Sequence, residues 1–209
     1  MSAPDVVVIG GSAGGMKALR GIFQTFRHPR NSNVFVVLHR APQESPLVEV
    51  LQTYTGIPIR EPGDSPWPCP AGVVTVAPAG YHLLVGNTRK PLPDPPTPLT
   101  HYQTGPEVRA HLTLDPPVAY SRPSLDVTFS SAAELVNSVT VVLLSCANED
   151  GAAGCEVVKA AGGTVVLQDP ESCEAATAVR AAMRRIQPDH VADPPGIGTW
   201  LSQAVARVR

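Results

Sequence analysis

The chain has 209 residues, enough for a single domain with a sizeable core. Hydrophobic residues make up 43% and charged residues 16%, with 16 Lys and Arg against 18 Asp and Glu for a formal net charge of −2. That near-neutral balance carries no electrostatic footprint for nucleic acid or an anionic membrane, and no apolar run approaches the ~20 residues of a membrane-spanning helix.

The chain opens with Met-Ser-Ala-Pro-Asp, which has no basic segment; no signal peptide is predicted and a cytoplasmic location is expected. Val6 to Ile9 is a short apolar run ended by glycine, and Val34 to Leu38 is another. Both read as strands buried on both faces, as in a parallel sheet. Between them, MKALRGIFQTF has apolar residues at 16, 19, 22, 23 and 26, the spacing of a helix face. Strand, helix and strand within about 35 residues make a βαβ unit with a right-handed connection. RAPQESPLVEVLQTY then reads as a loop entering a helix. IPIREP, GVVTVAP and GYHLLVGN read as short strands forming an antiparallel hairpin or meander.

Residues 90–123 are proline-dense and are expected to be a long surface excursion rather than a linker, because neither flank alone has enough strands for a complete sheet. From Ser124 the α/β pattern returns. SLDVTFSSAAELVNS has helical spacing, with Ser124 as N-cap and Asp126 in the first turn. VTVVLLS (139–145) and TVVLQD (164–169) read as strands. GAAGCEVVKAAGG reads as a helix closed by glycines, CEAATAVRAAMRRI as another, and PGIGTWLSQAVARVR as a last one. The expected fold is α/β: a three-layer, doubly wound, mostly parallel sheet of Rossmann-like topology with an antiparallel excursion, one domain over 1–209. Functional groups in such sheets gather at the carboxyl ends of the strands, which directs attention to Ser12, His39 and the segment after Ser145.

The glycine turn after the first strand, Gly10-Gly11-Ser12-Ala13-Gly14-Gly15, admits three readings. A dinucleotide fingerprint needs glycine at position 12, which is serine; a P-loop needs lysine at position 16, which is methionine. The third, G-x-S-x-G after a strand and before a helix, fits in full. Small neighbours allow a tight corner that presents the serine Oγ, and the helix starting there offers unpaired N–H groups. The bland counterpart is a glycine-rich turn with a solvated serine.

A serine nucleophile needs a base. His39 follows the second strand run, and neighbouring parallel strands would set it about 5 Å from Ser12 along the sheet. Asp150, after the strand at 139–145 and before Gly151, is positioned to orient the imidazole. Glu149, Asp126 and Asp169 compete for that role by position. The order Ser, His, Asp differs from the Ser, Asp, His order of α/β-hydrolases. The four cysteines (Cys69, Cys146, Cys155 and Cys173) form no CxxC pair, and the six histidines (His28, His39, His82, His101, His111 and His190) form no HxH or HxxxH pair. Free thiols and no metal are expected.

Five ordered blocks of the chain resemble the catalytic domain of the CheB chemotaxis receptor methylesterases. Ile9-Gly10-Gly11-Ser12-Ala13-Gly14-Gly15 matches the family's IGxSxGG block, and Val36-Val37-Leu38-His39 its VVxH block. GVVTVAPAGYHLLV is similar to its central strands, SRPSLDVTFSSAA to its RPSxDxxF stretch, and NEDGAAG to its DGAxG block with Asp150 in the aspartate position. The resemblance implies a serine hydrolase with Ser12 as nucleophile, His39 as general base and acid, and Asp150 as orienter. The implied substrate is a γ-glutamyl methyl ester on a chemotaxis-type receptor; deamidation of glutamine is the same acyl transfer with ammonia leaving. No cofactor or metal is implied, no nucleic acid and no direct membrane insertion, and the oligomeric state is left open.

The chain departs from the family at several positions. Ala13 stands where the family usually has threonine, and Ser145-Cys146-Ala147-Asn148 replaces Thr-Gly-Met-Gly. In the family the methionine's N–H serves the oxyanion hole; Ala147 keeps a main-chain donor, but misplacing one such donor costs roughly 10²–10³ in rate. The family's Gly-Met-Pro is replaced by residues within EAATAVRAAM. Ser12 lies too near the N-terminus for the usual receiver domain to precede it, so open access or control by a separate partner is expected. Two alternatives accompany the methylesterase reading: a weak or inactive relative acting as a signalling interaction module, and an esterase for small-molecule esters.

Overall fold

In the computed structural model the described residues are 5–27, 30–43, 45–88, 107–135 and 138–206. The first half of the proline-dense stretch, residues 90–106, lies outside them, as do His28 and His101. The elements in chain order are β1 (Asp5–Gly11), α1 (Gly15–Thr25), β2 (Ser32–Leu38), α2 (Leu47–Gln52), β3 (Ile59–Arg60), β4 (Trp67–Pro68), β5 (Val74–Val76), β6 (His82–Thr88), β7 (Glu107–Thr113), α3 (Leu125–Ala133), β8 (Val139–Leu143), α4 (Ala152–Ala160), β9 (Thr164–Gln168), α5 (Thr177–Arg185), β10 (His190–Ala192) and α6 (Pro194–Ala206).

Seven strands form one sheet in the order β10-β9-β8-β1-β2-β5-β3, and every pairing in it is parallel. Side chains alternate across it with the period of a strand. Val6, Val8, Phe35, Val37, Val141 and Leu143 enter one apolar layer, with residues of α3, α4 and α5. Val7, Ile9, Val34, Val36, Leu38 and Val142 enter the other, with residues of α1, α2 and α6. Both faces are covered, so the central strands are apolar throughout. The doubly wound α/β fold expected from the strand and helix pattern is the fold observed.

One expectation is corrected. β3 and β5 do not pair with β6 as a meander; they join the parallel sheet beyond β2. β6 pairs antiparallel with β7, and β4 completes a separate three-stranded sheet. This small sheet leans on α3: Thr128 Oγ1 donates to Leu83 O at 2.7 Å, and Ser131 Oγ accepts from Val85 N at 2.9 Å. Its Leu83, Val85, Val108 and Ala110 are buried in the same layer as Phe129.

The winding decides where the site is. From β1 the chain runs to β2, lays β3 at the edge and then sets β5 between them, before placing β8, β9 and β10 on the other side of β1. The reversal falls at β1, and the carboxyl ends of β1, β2 and β8 border the crevice that such a switch opens.

Candidate active site

β1 ends in the glycine corner. Gly10 packs against α3, where an added Cβ would stand 2.9 Å from Phe129 Cζ. Gly14 has φ +79°, and a Cβ there would meet Glu174 Cβ at 2.7 Å and Ser145 Oγ at 2.8 Å. Close packing and a left-handed backbone therefore account for these two glycines. The corner is stitched by Gly15 N donating to Ser12 O at 2.8 Å, and α1 departs with no side-chain cap. Ser12 is thus presented at a strand-to-helix corner, half-buried.

Strand pairing brings His39 beside it. Gly11 pairs with Leu38 and His39 N donates to Gly11 O at 3.1 Å, so Ser12 and His39 occupy the next facing positions of β1 and β2. On the other side Ser12 N donates to Ser145 O at 2.9 Å, tying the corner to the end of β8. Ser12 Oγ itself makes no hydrogen bond among the described residues.

Asp150 reaches His39 from the loop after β8. Its Oδ2 lies 2.7 Å from His39 Nε2, with the carboxylate fully buried and the ring largely so. Three further donors hold Asp150: Ser124 Oγ at 2.8 Å and Asp126 N at 3.0 Å to Oδ1, and Leu125 N at 2.8 Å to Oδ2. The carboxylate therefore sits on the N-terminus of α3, where unpaired N–H groups and the helix dipole favour negative charge. Burial alone would raise its pKa; the bonds from His39, Asp126 N, Leu125 N and Ser124 outweigh it and hold it below the usual carboxylate range.

Asp126 does the converse. Its Oδ1 accepts from Gly151 N at 2.9 Å and Gly154 N at 2.6 Å, so each acid serves the start of the other's helix. Burial raises the Asp126 pKa against those amides, and the Asp150 charge adds to the rise. The other competing acids lie elsewhere: Glu149 pairs with Arg184 on the surface, and Asp169 caps the turn at Pro170–Ser172. Among the described residues Asp150 alone bonds His39 through a carboxylate.

Burial would lower the His39 pKa. The bond to Asp150, with a smaller contribution from the nearby Cys146, outweighs it, and the pKa rises from 6.5 to about 9. With Nε2 committed to Asp150, Nδ1 is the nitrogen left to take a proton. In this structure Nδ1 faces Ser121 Oγ at 3.2 Å rather than Ser12.

Sequence reasoning did not find Ser121, Asn148, Cys146 or His82. His82 is buried under α3, its Nδ1 accepting from Ser124 N at 3.2 Å and its Nε2 donating to Pro116 O at 3.1 Å. Ser124 is the N-cap of α3, as its sequence position predicts, accepting from Val127 N, and its hydroxyl also donates to Asp150. The signal for the others was present only as position: Ser121 precedes the Arg-Pro-Ser stretch, and Cys146 and Asn148 lie in the loop where the chain departs from the family pattern. In that loop the Ala147 amide has no hydrogen-bond partner among the described residues, the condition a donor for a developing oxyanion must meet. No group of three or more His, Cys, Asp or Glu among the described residues could hold a metal ion, and none of their helices is long and apolar enough to cross a membrane.

Comparison with known proteins bears on the fold and the family. The crystal structure of the Thermotoga maritima CheB methylesterase catalytic domain superposes with a TM-score of 0.82 at 26% identity, over 98% of this chain and 100% of that one. A Leptospira interrogans relative is 30% identical over 189 residues, 90% of this chain and 88% of its own. The protein-glutamate methylesterase/protein-glutamine glutaminase 1 of Rhodospirillum rubrum is 31% identical over 173 residues, 81% of this chain but 40% of its own length. Residues 7–201 match the family described as CheB methylesterase, and the chain belongs to that family.

Proposed function

We propose that this chain is a serine hydrolase that removes methyl esters from γ-glutamyl side chains of a chemotaxis-type receptor and deamidates glutamine by the same route, acting as one catalytic domain. The observation that carries the reading is the buried Asp150–His39 pair, 2.7 Å apart, with Ser12 at the facing strand position. Ser12 is the nucleophile, His39 the general base and acid, and Asp150 the orienter.

Ser12 Oγ attacks the ester carbonyl as its proton passes to His39 Nδ1, the nitrogen opposite Asp150. The carbonyl oxygen gains the negative charge and takes hydrogen bonds from main-chain amides, with the free Ala147 N–H as one donor. The imidazolium is stabilised by Asp150, whose charge is fixed by three donors other than His39. The tetrahedral intermediate collapses with cleavage of the C–OCH₃ bond, and methanol leaves with the proton from His39. Water then gives its proton to His39 and attacks the acyl-enzyme, releasing glutamate and restoring Ser12. With a glutamine side chain the leaving group is ammonia.

The test is methanol release from a methylated receptor and hydrolysis of a small acyl ester, measured on the parent protein and on Ser12→Ala. Methylesterase action predicts turnover of the receptor that disappears in Ser12→Ala. Turnover of the small ester alone points to a small-molecule esterase, and no turnover by well-folded protein removes the hydrolase reading.

A further inference from the structure

The ring nitrogen that must receive the nucleophile's proton is already hydrogen-bonded. Ser121 Oγ lies 3.2 Å from His39 Nδ1. It closes a four-residue turn in which Val118 and Ser121 exchange both backbone hydrogen bonds, at 3.1 and 2.8 Å. The two residues between them, Ala119 and Tyr120, have φ +47° and +63°, a left-handed conformation that costs free energy in each. Tyr120 is fully exposed, so no burial of its ring offsets that cost.

The turn is latched by Asn148. Its Nδ2 donates to Ala119 O at 3.2 Å and to Ser121 Oγ at 3.4 Å. Its Oδ1 accepts from Cys146 Sγ at 3.0 Å and from Asp150 N at 3.2 Å. One side chain thus joins the strained turn to the loop that carries Asp150.

Ser121 has partners for both protonation states of the base. While Nδ1 is bare, the Ser121 hydroxyl donates to it and accepts from Asn148. Once Nδ1 is protonated, the ring donates to Ser121 Oγ, and the hydroxyl turns to Ala119 O at 3.4 Å. The same turn frees the Nδ1 lone pair for the proton of Ser12 without orphaning the Ser121 hydroxyl.

We propose that Ser121, latched by Asn148, is a positioning residue that holds His39 against Asp150 and yields Nδ1 to the nucleophile by turning its hydroxyl to Ala119 O. This rests on the reading of His39 as the base. The titratable groups facing the ring are Asp150 and Cys146, both from the loop after β8, with Asp126 of α3 behind Asp150.

The test measures two quantities on the parent, Ser121→Ala, Ser121→Thr and Asn148→Ala. One is kcat and KM for a p-nitrophenyl ester across pH. The other is the titration midpoint of the His39 ring by NMR, which needs no activity. A hydrogen bond to a charged group is worth about 10-fold. Ser121→Ala is expected to lower kcat about 10-fold at unchanged KM and to lower the ring midpoint by about one pH unit, because the lost bond favours the charged ring more than the neutral one. Ser121→Thr keeps the hydroxyl and restores both values, and Asn148→Ala moves both in the direction of Ser121→Ala. A midpoint that stays put in both alanine variants overturns the proposal. A midpoint that moves in the alanine variants, while the parent shows no esterase activity, upholds the contact and removes the hydrolase reading instead.

Discussion

Asp150→Asn separates charge from shape at the centre of the site. The carboxylate accepts four hydrogen bonds, two on each oxygen. An amide can accept on one oxygen only. Placed with its NH₂ toward Ser124, it lets that hydroxyl rotate to accept, and leaves Asp126 N as the orphaned donor. That loss, with weaker bonds from the remaining donors, costs about 2–4 kcal/mol of stability. The effect on His39 is larger in kind. Its pKa is raised to about 9 because the bond to Asp150 and the nearby Cys146 outweigh burial, so the charged ring predominates at pH 7 in the free protein. Without the carboxylate charge, burial gains the upper hand and the ring midpoint falls well below 9. The pH–rate profile of Asp150→Asn should therefore reach its plateau at lower pH than the parent. That plateau should lie about 10³–10⁴-fold lower in kcat, because the imidazolium of the transition state has lost its partner. The assay is kcat/KM for ester hydrolysis against pH, run beside an NMR titration of the histidines. An unchanged His39 midpoint in the folded variant would refute the electrostatic account of the base.

Other outcomes follow from the same contacts. Ser12→Ala removes a hydroxyl with no hydrogen bond among the described residues, so thermal unfolding should show a stability within about 0.5 kcal/mol of the parent while activity falls at least ~10³-fold. Gly14→Ala forces a Cβ onto a left-handed backbone at 2.7 Å from Glu174 Cβ; denaturant titration should show a loss of about 1–3 kcal/mol, and activity should fall with it. Stability should depend on pH in two windows, readable by denaturation across pH. The His39 contribution is fully present below about pH 6.5 and is lost as pH rises through about 9, because its folded pKa is raised. The Asp150 contribution is present above the ordinary carboxylate range and is lost as pH falls through its depressed folded pKa.

The central strands were legible because they are buried on both faces. Val6 to Ile9 and Val34 to Leu38 are uninterrupted apolar runs, and only a covered parallel sheet needs such runs. The short strands were not. Val74–Val76 pairs parallel with Ile59–Arg60 and with Val34–Val36 about 40 residues earlier, and three residues carry no mark of parallel or antiparallel partnership. Glu107–Thr113 does alternate, with Val108 and Ala110 buried, but its neighbouring prolines hid it in the supposed excursion. At the site, Ser12, His39 and Asp150 were legible because each follows a strand run, and the topology sets those ends side by side. Ser121 was not, since its place depends on two left-handed residues that are alanine and tyrosine, where glycine or asparagine would have announced the turn. Asn148 was visible as a departure from the family pattern, but its role as a latch needed the turn to be placed first.

The most direct test of the central claim is to label the folded protein with a fluorophosphonate and locate the adduct by mass spectrometry. Acyl transfer through Ser12 predicts one adduct per chain, on Ser12, lost in His39→Ala. An adduct on Ser121, or no adduct on folded protein, would contradict it.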